Sequence, residues 1–198
     1  QLLAYSNGKW QADGKEAIIV AASNSSDADK ASADYVADGN TGAAGDGDQV
    51  QINNALTAAD PAGSGRKTGR VVLLAGTYVA DATILIPNNV TISGVGRATL
   101  IELADLDATD NLIENADTST GTGVTIRDMR IDGRDDLNTA GTQYGISFSG
   151  MGNGTGAGAR QGGQILNVYA KDFRNFGIYL GSSSNNTLSG NTAQGNGS

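Results

Sequence analysis

At 198 residues the chain is long enough for a substantial core, and its 21 acidic against 13 basic side chains (net charge −8) have the wrong sign for holding nucleic acid through its phosphates. It has no Cys and no His, which excludes disulfides, the usual zinc sites, and Ser-His-Asp or Cys-His chemistry. With 29 Gly against 2 Pro and 5% aromatic residues it suits many short strands and tight turns; no run approaches the roughly 20 apolar residues of a membrane span, so neither nucleic acid nor membrane insertion is expected.

Residues 1–14 carry a turn signal at Asn7-Gly8 between two short runs and read as a connector or small hairpin, with Trp10 as a local packing or subunit contact. Residues 15–69 read as an N-terminal strand and capping helices. Glu16 to Ala22 is a continuous apolar run, consistent with a strand buried on both faces. Ser25 or Ser26 is placed to cap a helix over 27–35, with acids in its first turn, and a Gly-rich loop over 38–47 ends it. A second helix starts at about Asp48, carries Ile52, Ala55, Leu56 and Ala59 on one stripe, and stops at Pro61 and Gly63. One amphipathic helix ahead of a long run of strands is expected to cover the end of a stacked core.

From Arg70 onward short strands follow one another without a helix: Val71–Leu74, Thr83–Ile86, Val90–Ile92, Leu100–Leu103, Leu112–Ile113 and Val124–Ile126. An internal repeat then sets the fold. Ile126, Met129 and Ile131 have the spacing of Ile165, Val168 and Ala170, and again of Leu188, Asn191 and Ala193. A second strand recurs as Tyr144-Gly-Ile-Ser-Phe148 and Phe176-Gly-Ile-Tyr-Leu180. The expected fold is all-β: a right-handed parallel β-helix of three-strand coils over 70–198, with an N-terminal capping α-helix, insertions at 132–143 and 150–163, and a break in mid-coil at Ser198. Asn185, Asn186, Asn191 and Asn196 are expected in turns or in amide stacks between coils.

Gly45-Asp-Gly-Asp-Gln-Val-Gln-Ile-Asn-Asn-Ala-Leu56, Gly69-Arg-Val-Val-Leu-Leu-Ala-Gly-Thr-Tyr78 and Ile86-Pro-Asn-Asn-Val-Thr-Ile-Ser-Gly-Val-Gly96, in that order, resemble the opening of pectate-lyase-like β-helix proteins. The resemblance covers about 16–198 and implies the fold and a carbohydrate ligand, among lyases, glycosidases, alginate C5-epimerases and phage tailspikes. Ile131-Asp-Gly-Arg-Asp-Asp136 and the coil after Ile165 resemble the first coils of the epimerases. Those enzymes carry an Asp-Pro-His-Glu run after the strand matching Phe176-Gly-Ile178, where this chain has Tyr179, Leu180, Gly181 and Ser182. Residues 1–14 resemble connectors of phage tail fibres.

Asp132, Asp135 and Asp136, with Arg134 between, are candidate calcium ligands or glycosidase carboxylates, or a solvated acidic turn. Asp128 reads as an outward strand residue balanced by Arg127 and Arg130. Asp132, Arg134, Lys171, Arg174 and Tyr179 are the candidate carbohydrate-binding set, with Lys or Arg as the base of a lyase lacking His. The Gly-rich stretch 150–158 lacks the strand-to-helix context of a phosphate loop and reads as a plain loop.

The reading these observations favour is a tail-fibre or tailspike β-helix that binds cell-surface glycan for host attachment. On that reading it is a homotrimer in a virion tail or other extracellular setting, with no catalysis in this segment, no required cofactor, and calcium as a candidate ion. The alternatives are a polysaccharide lyase or glycoside hydrolase whose catalytic coils lie beyond Ser198, and a bacterial surface adhesin.

Overall fold

The computed structural model describes residues 3–6, 9–12, 17–39, 46–63, 65, 69–104, 111–155 and 161–197. The Asn7-Gly8 turn, the middle of the 38–47 loop, the end of the Gly-rich stretch 150–158 and the side chain of Trp10 lie outside the described residues. Strands β1 (Leu3–Ser6) and β2 (Lys9–Ala12) pair antiparallel.

Strand β3 (Ile18–Ala21) leads into helix α1 (Asp27–Ser32). The Ser26 hydroxyl accepts from the Asp29 N–H at 3.1 Å. This helix is three residues shorter than its sequence suggests, because none of its residues is buried. Without an apolar face a single turn and a half has little to hold it. The chain instead extends into β4 (Tyr35–Val36), which pairs parallel with Val20 and Ala21. Strand β3 buries Ile18, Val20 and Ala21 completely and leaves Ile19 half-buried. Helix α2 (Gln49–Ala59) buries Ile52, Ala55, Leu56 and Ala59 completely and packs against β3 and the first coil.

The coils follow as β5 (Arg70–Leu73), β6 (Gly76–Ala80), β7 (Ile84–Ile86), β8 (Thr91–Ser93), β9 (Thr99–Leu103), β10 (Ile113–Asn115), β11 (Thr125–Asp132), β12 (Ile146–Ser149), β13 (Gln164–Lys171), β14 (Ile178–Gly181), β15 (Thr187–Ser189) and β16 (Thr192–Gln194). Every pairing between them is parallel and joins one coil to the next. The chain is therefore a right-handed parallel β-helix with three faces. The first holds β5, β8, the first halves of β11 and β13, and β15. The second holds β6, β9, the second halves of β11 and β13, and β16. The third holds β7, β10, β12 and β14.

Register stacks like on like. Val71, Ile92, Ile126 and Ile165 form an inward column on the first face, and Tyr78, Ile101, Ile131 and Ala170 one on the second; all eight are fully buried. Ile84, Ile113 and Ile146 repeat this on the third. Burying each such side chain contributes about 1.5–3 kcal/mol, and truncating one in a column packed from above and below costs about 2–5 kcal/mol.

The first and second faces meet at a one-residue corner. Asp128 (φ 56°) and Asn167 (φ 54°) take the left-handed conformation there, and Gly190 (φ 68°) holds the same position one coil on. Asp128 thus lies within β11, paired with Arg127 as its sequence suggests, but at the corner where the strand bends from one face to the next. Its carboxylate accepts from Asn167 Nδ2 at 3.0 Å, which together with Arg127 Nε at 2.5 Å holds it below the usual aspartate range.

Candidate functional site

The predicted site residues divide between two clusters flanking the corner from the second face to the third. Asp132 lies at the end of β11, in the strand rather than in the inserted loop, and is buried at 8% exposure. Register places Glu102, Asp132 and Lys171 in one outward column on successive coils. Lys171 Nζ reaches Asp132 at 2.7 Å and Asp172 at 2.6 Å, while Arg134 meets Glu102 at 3.3 Å. The hydrogen bonds to Asp132 and Asp172 hold the Lys171 ammonium well above the ordinary lysine range. Burial pushes the Glu102 carboxyl up, against the pull of the Arg134 guanidinium.

Lys171 and Arg134 pair with the carboxylates of this cluster, which bears on two expectations. A lysine fixed between two carboxylates stays protonated at ordinary pH, so Lys171 is not a general base. Of the candidate calcium ligands, Asp132 is paired with Lys171 and Asp136 is exposed. No group of three or more acidic side chains suited to a metal occurs among the described residues.

The second cluster is aromatic. Tyr179 on β14 stacks on Tyr144 with ring centroids 4.6 Å apart and planes within 10°, and Phe176 lies parallel to both at 5.8 and 6.2 Å. The third-face register, Ile146 against Ile178, puts Tyr144 and Phe176 at equivalent places on successive coils. Phe176 is 50% exposed and Tyr179 36%. Tyr144 is fixed from below, its backbone N–H donating to Asn111 Oδ1 at 2.9 Å. Arg174, in the loop leading to Phe176, has its Nε buried with no hydrogen-bond partner.

Of the predicted carbohydrate-binding set, then, Asp132, Arg134 and Lys171 form the ion-pair cluster, Tyr179 belongs to the aromatic one, and Arg174 lies in the loop between them. Tyr144 and Phe176 were not among the candidates. Their signal is the coil offset already visible in the second-strand repeat, which superposes one ring on the other. The positions matching the epimerase catalytic run fall on β14 and just past it, where Tyr179 joins the stack and Ser182 takes a left-handed turn (φ 47°).

Two solved structures share this fold with the chain. The mannuronan C-5 epimerase AlgE4 A-module of Azotobacter vinelandii superposes with a TM-score of 0.51 at 20% identity, over 75% of this chain and 46% of that one. The AlgE6 A-module from the same organism gives 0.54 at 18% identity, over 75% and 52%. The chain spans about half the length of these neighbours, and at this identity the likeness is one of fold. No family model matches the chain, and no curated protein matches it by sequence.

Proposed function

We propose that this β-helix is the glycan-holding part of a polysaccharide-active protein, and that it seats a sugar ring against Phe176 and Tyr179. The observation that carries this reading is the stack of three parallel rings left open on the third face. The axial C–H groups of a pyranose pack on an aromatic face while its hydroxyls reach polar groups at the rim. Here the rim offers the tyrosine hydroxyls.

Size favours a sugar over a second copy of the chain. The open ring area is on the order of 250 Å², well below the roughly 800 Å² per partner of a stable protein interface. The fold is also that of two enzymes named for a polysaccharide, mannuronan, which supports carbohydrate as the ligand class.

The chemistry in this segment is binding and orientation. Lys171 is held protonated, and the carboxylates beside it are paired. Host attachment by a trimeric tail fibre is a further use of the same contact, and it needs an oligomer that the aromatic face alone is too small to hold.

Retention in a polysaccharide-containing native gel tests the reading. Tyr179→Ala should run like the protein in a ligand-free gel, whereas unchanged retardation of that variant would remove the platform from the account.

A further inference from the structure

We infer that the first face carries a second glycan-binding groove, separate from the aromatic platform, in which an extended chain lies along the axis of the solenoid. The inference extends the carbohydrate reading to another face and rests on it.

The groove consists of two adjoining depressions of about 430 and 480 Å³ that share Thr125 and Gln164. Register explains its floor. Arg70, Thr91, Thr125, Gln164 and Thr187 occupy one outward column, one residue per coil, directly beside the buried column of Val71, Ile92, Ile126 and Ile165. Neighbouring strands lie about 4.8 Å apart, so the column repeats at that interval. A sugar unit in an extended β-linked chain advances by a similar length.

An insertion follows the β8 end of the groove. Ser93 to Leu100 spans seven positions where the next coil needs three, Arg127 to Arg130, so four extra residues stand out as a 3-10 turn over Gly96–Ala98. Arg97 in that turn lies over the Tyr169 ring at 4.9 Å, which ties the turn to the coil two turns on, beside a neighbouring depression.

The floor differs from the other outward columns in one respect. On the second face Glu102, Asp132 and Lys171 are consumed by ion pairs, and Tyr169 by Gln194 at 2.7 Å. The hydroxyls of Thr91, Thr125 and Thr187 and the amide of Gln164 make no hydrogen bond to any described residue. Three hydroxyls and an amide, unused and evenly spaced, match the donors and acceptors of a hydroxyl-rich chain. The lining also holds Arg70, Arg127 and the carboxylate of Asp128. That carboxylate already accepts from Arg127 and Asn167.

The test is an amide-shift titration of the isotope-labelled full chain with two probes, a neutral β-linked hexaglucan and a hexauronate. The groove predicts shifts at Thr125, Gln164 and Thr187 that persist in Tyr179→Ala. It also predicts that Thr125→Val with Gln164→Leu weakens them about tenfold, the loss of one or two hydrogen bonds. Both replacements sit on an outward face, and unchanged shift dispersion elsewhere reports an intact fold. No response of these amides to either probe at millimolar concentration would overturn the inference. So would shifts confined to Tyr144, Phe176 and Tyr179 that survive the groove double variant. Groove shifts without any at Tyr179 would sink the platform reading and leave this one standing.

Discussion

Asn191 holds the coil beneath it with both ends of its amide: Oδ1 accepts from the Val168 backbone N–H at 2.9 Å, and Nδ2 donates to the Ile165 carbonyl at 2.7 Å. Five residues on, Asn196 repeats the contact, accepting from Phe173 N–H at 3.0 Å and donating to the Ala170 carbonyl at 3.2 Å. Asn186 accepts from Gly163 N–H at 2.7 Å. These side chains continue the interstrand ladder across the corners, where β15 and β16 cannot. Asn191→Ala should therefore cost about 1–2 kcal/mol by leaving the Val168 N–H without its acceptor. Hydrogen exchange at Val168, faster by a factor of about ten while Ile126 stays protected, is the measurement; equal protection in the variant would show the amide to be dispensable.

The corner between the first two faces sets a second expectation. Asp128 and Asn167 adopt φ near +55°, a region that costs a β-branched residue about 1–2 kcal/mol. Asn167→Val should lower the melting temperature clearly, whereas Asn167→Gly should cost little beyond the hydrogen bond to Asp128. Equal losses in the two variants would mean that the backbone conformation is not the cause.

Lys171→Met leaves Asp132 and Asp172 without their cation. Since Asp132 is largely buried and the lysine 27% exposed, the cost should be about 1–3 kcal/mol in a urea titration. The folded lysine lies above its ordinary value of 10.5, so its contribution is fully present below that pH and is lost only as pH rises through the higher folded value. Wild type should accordingly show no loss from this pair between pH 7 and 10, and a loss of stability there that Lys171→Met abolishes would contradict the assignment.

At low pH two aspartates act in opposite directions. Asp117 accepts from the backbone N–H groups of Thr120 and Ser119, which hold it well below the ordinary 3.8. Its contribution is present above that value and lost as pH falls through the folded one. Burial raises Asp48, which accepts from Val79 and Gly39 N–H groups, so its protonated form is favoured in the fold and its contribution fades as pH rises. Asp117→Asn should flatten the acid limb of a pH-stability curve below pH 4; an unchanged limb would assign acid sensitivity elsewhere.

The β-helix was legible because it is written as a repeat. Ile126, Met129 and Ile131 pair with Ile165, Val168 and Ala170 as their spacing demands, and Ile146 and Phe148 with Ile178 and Leu180. A period read over whole coils needs no single residue to be decisive. The misses were local. Asp128 looks like an ordinary strand residue until it is aligned with Asn167 and Gly190, which share a tolerance of the left-handed region and so mark a corner. Asp132 looks like a loop carboxylate because Gly133 follows it, yet its ion pair with Lys171 spans 39 positions of sequence and exists only through register. The aromatic stack was half visible: Tyr179 stood out by its type, while Tyr144 and Phe176 acquire meaning only when the coils are superposed.

The central claim, that a sugar ring rests on Phe176 and Tyr179, is tested most directly by saturation-transfer difference spectroscopy on a bound hexasaccharide, with wild type beside a Phe176→Ala, Tyr179→Ala double variant. The account predicts strong transfer to the axial ring protons in wild type and a several-fold fall in the variant, with a cooperative unfolding transition retained at a slightly lower midpoint because the variant loses the stack on Tyr144. Equal transfer from a folded double variant would contradict it.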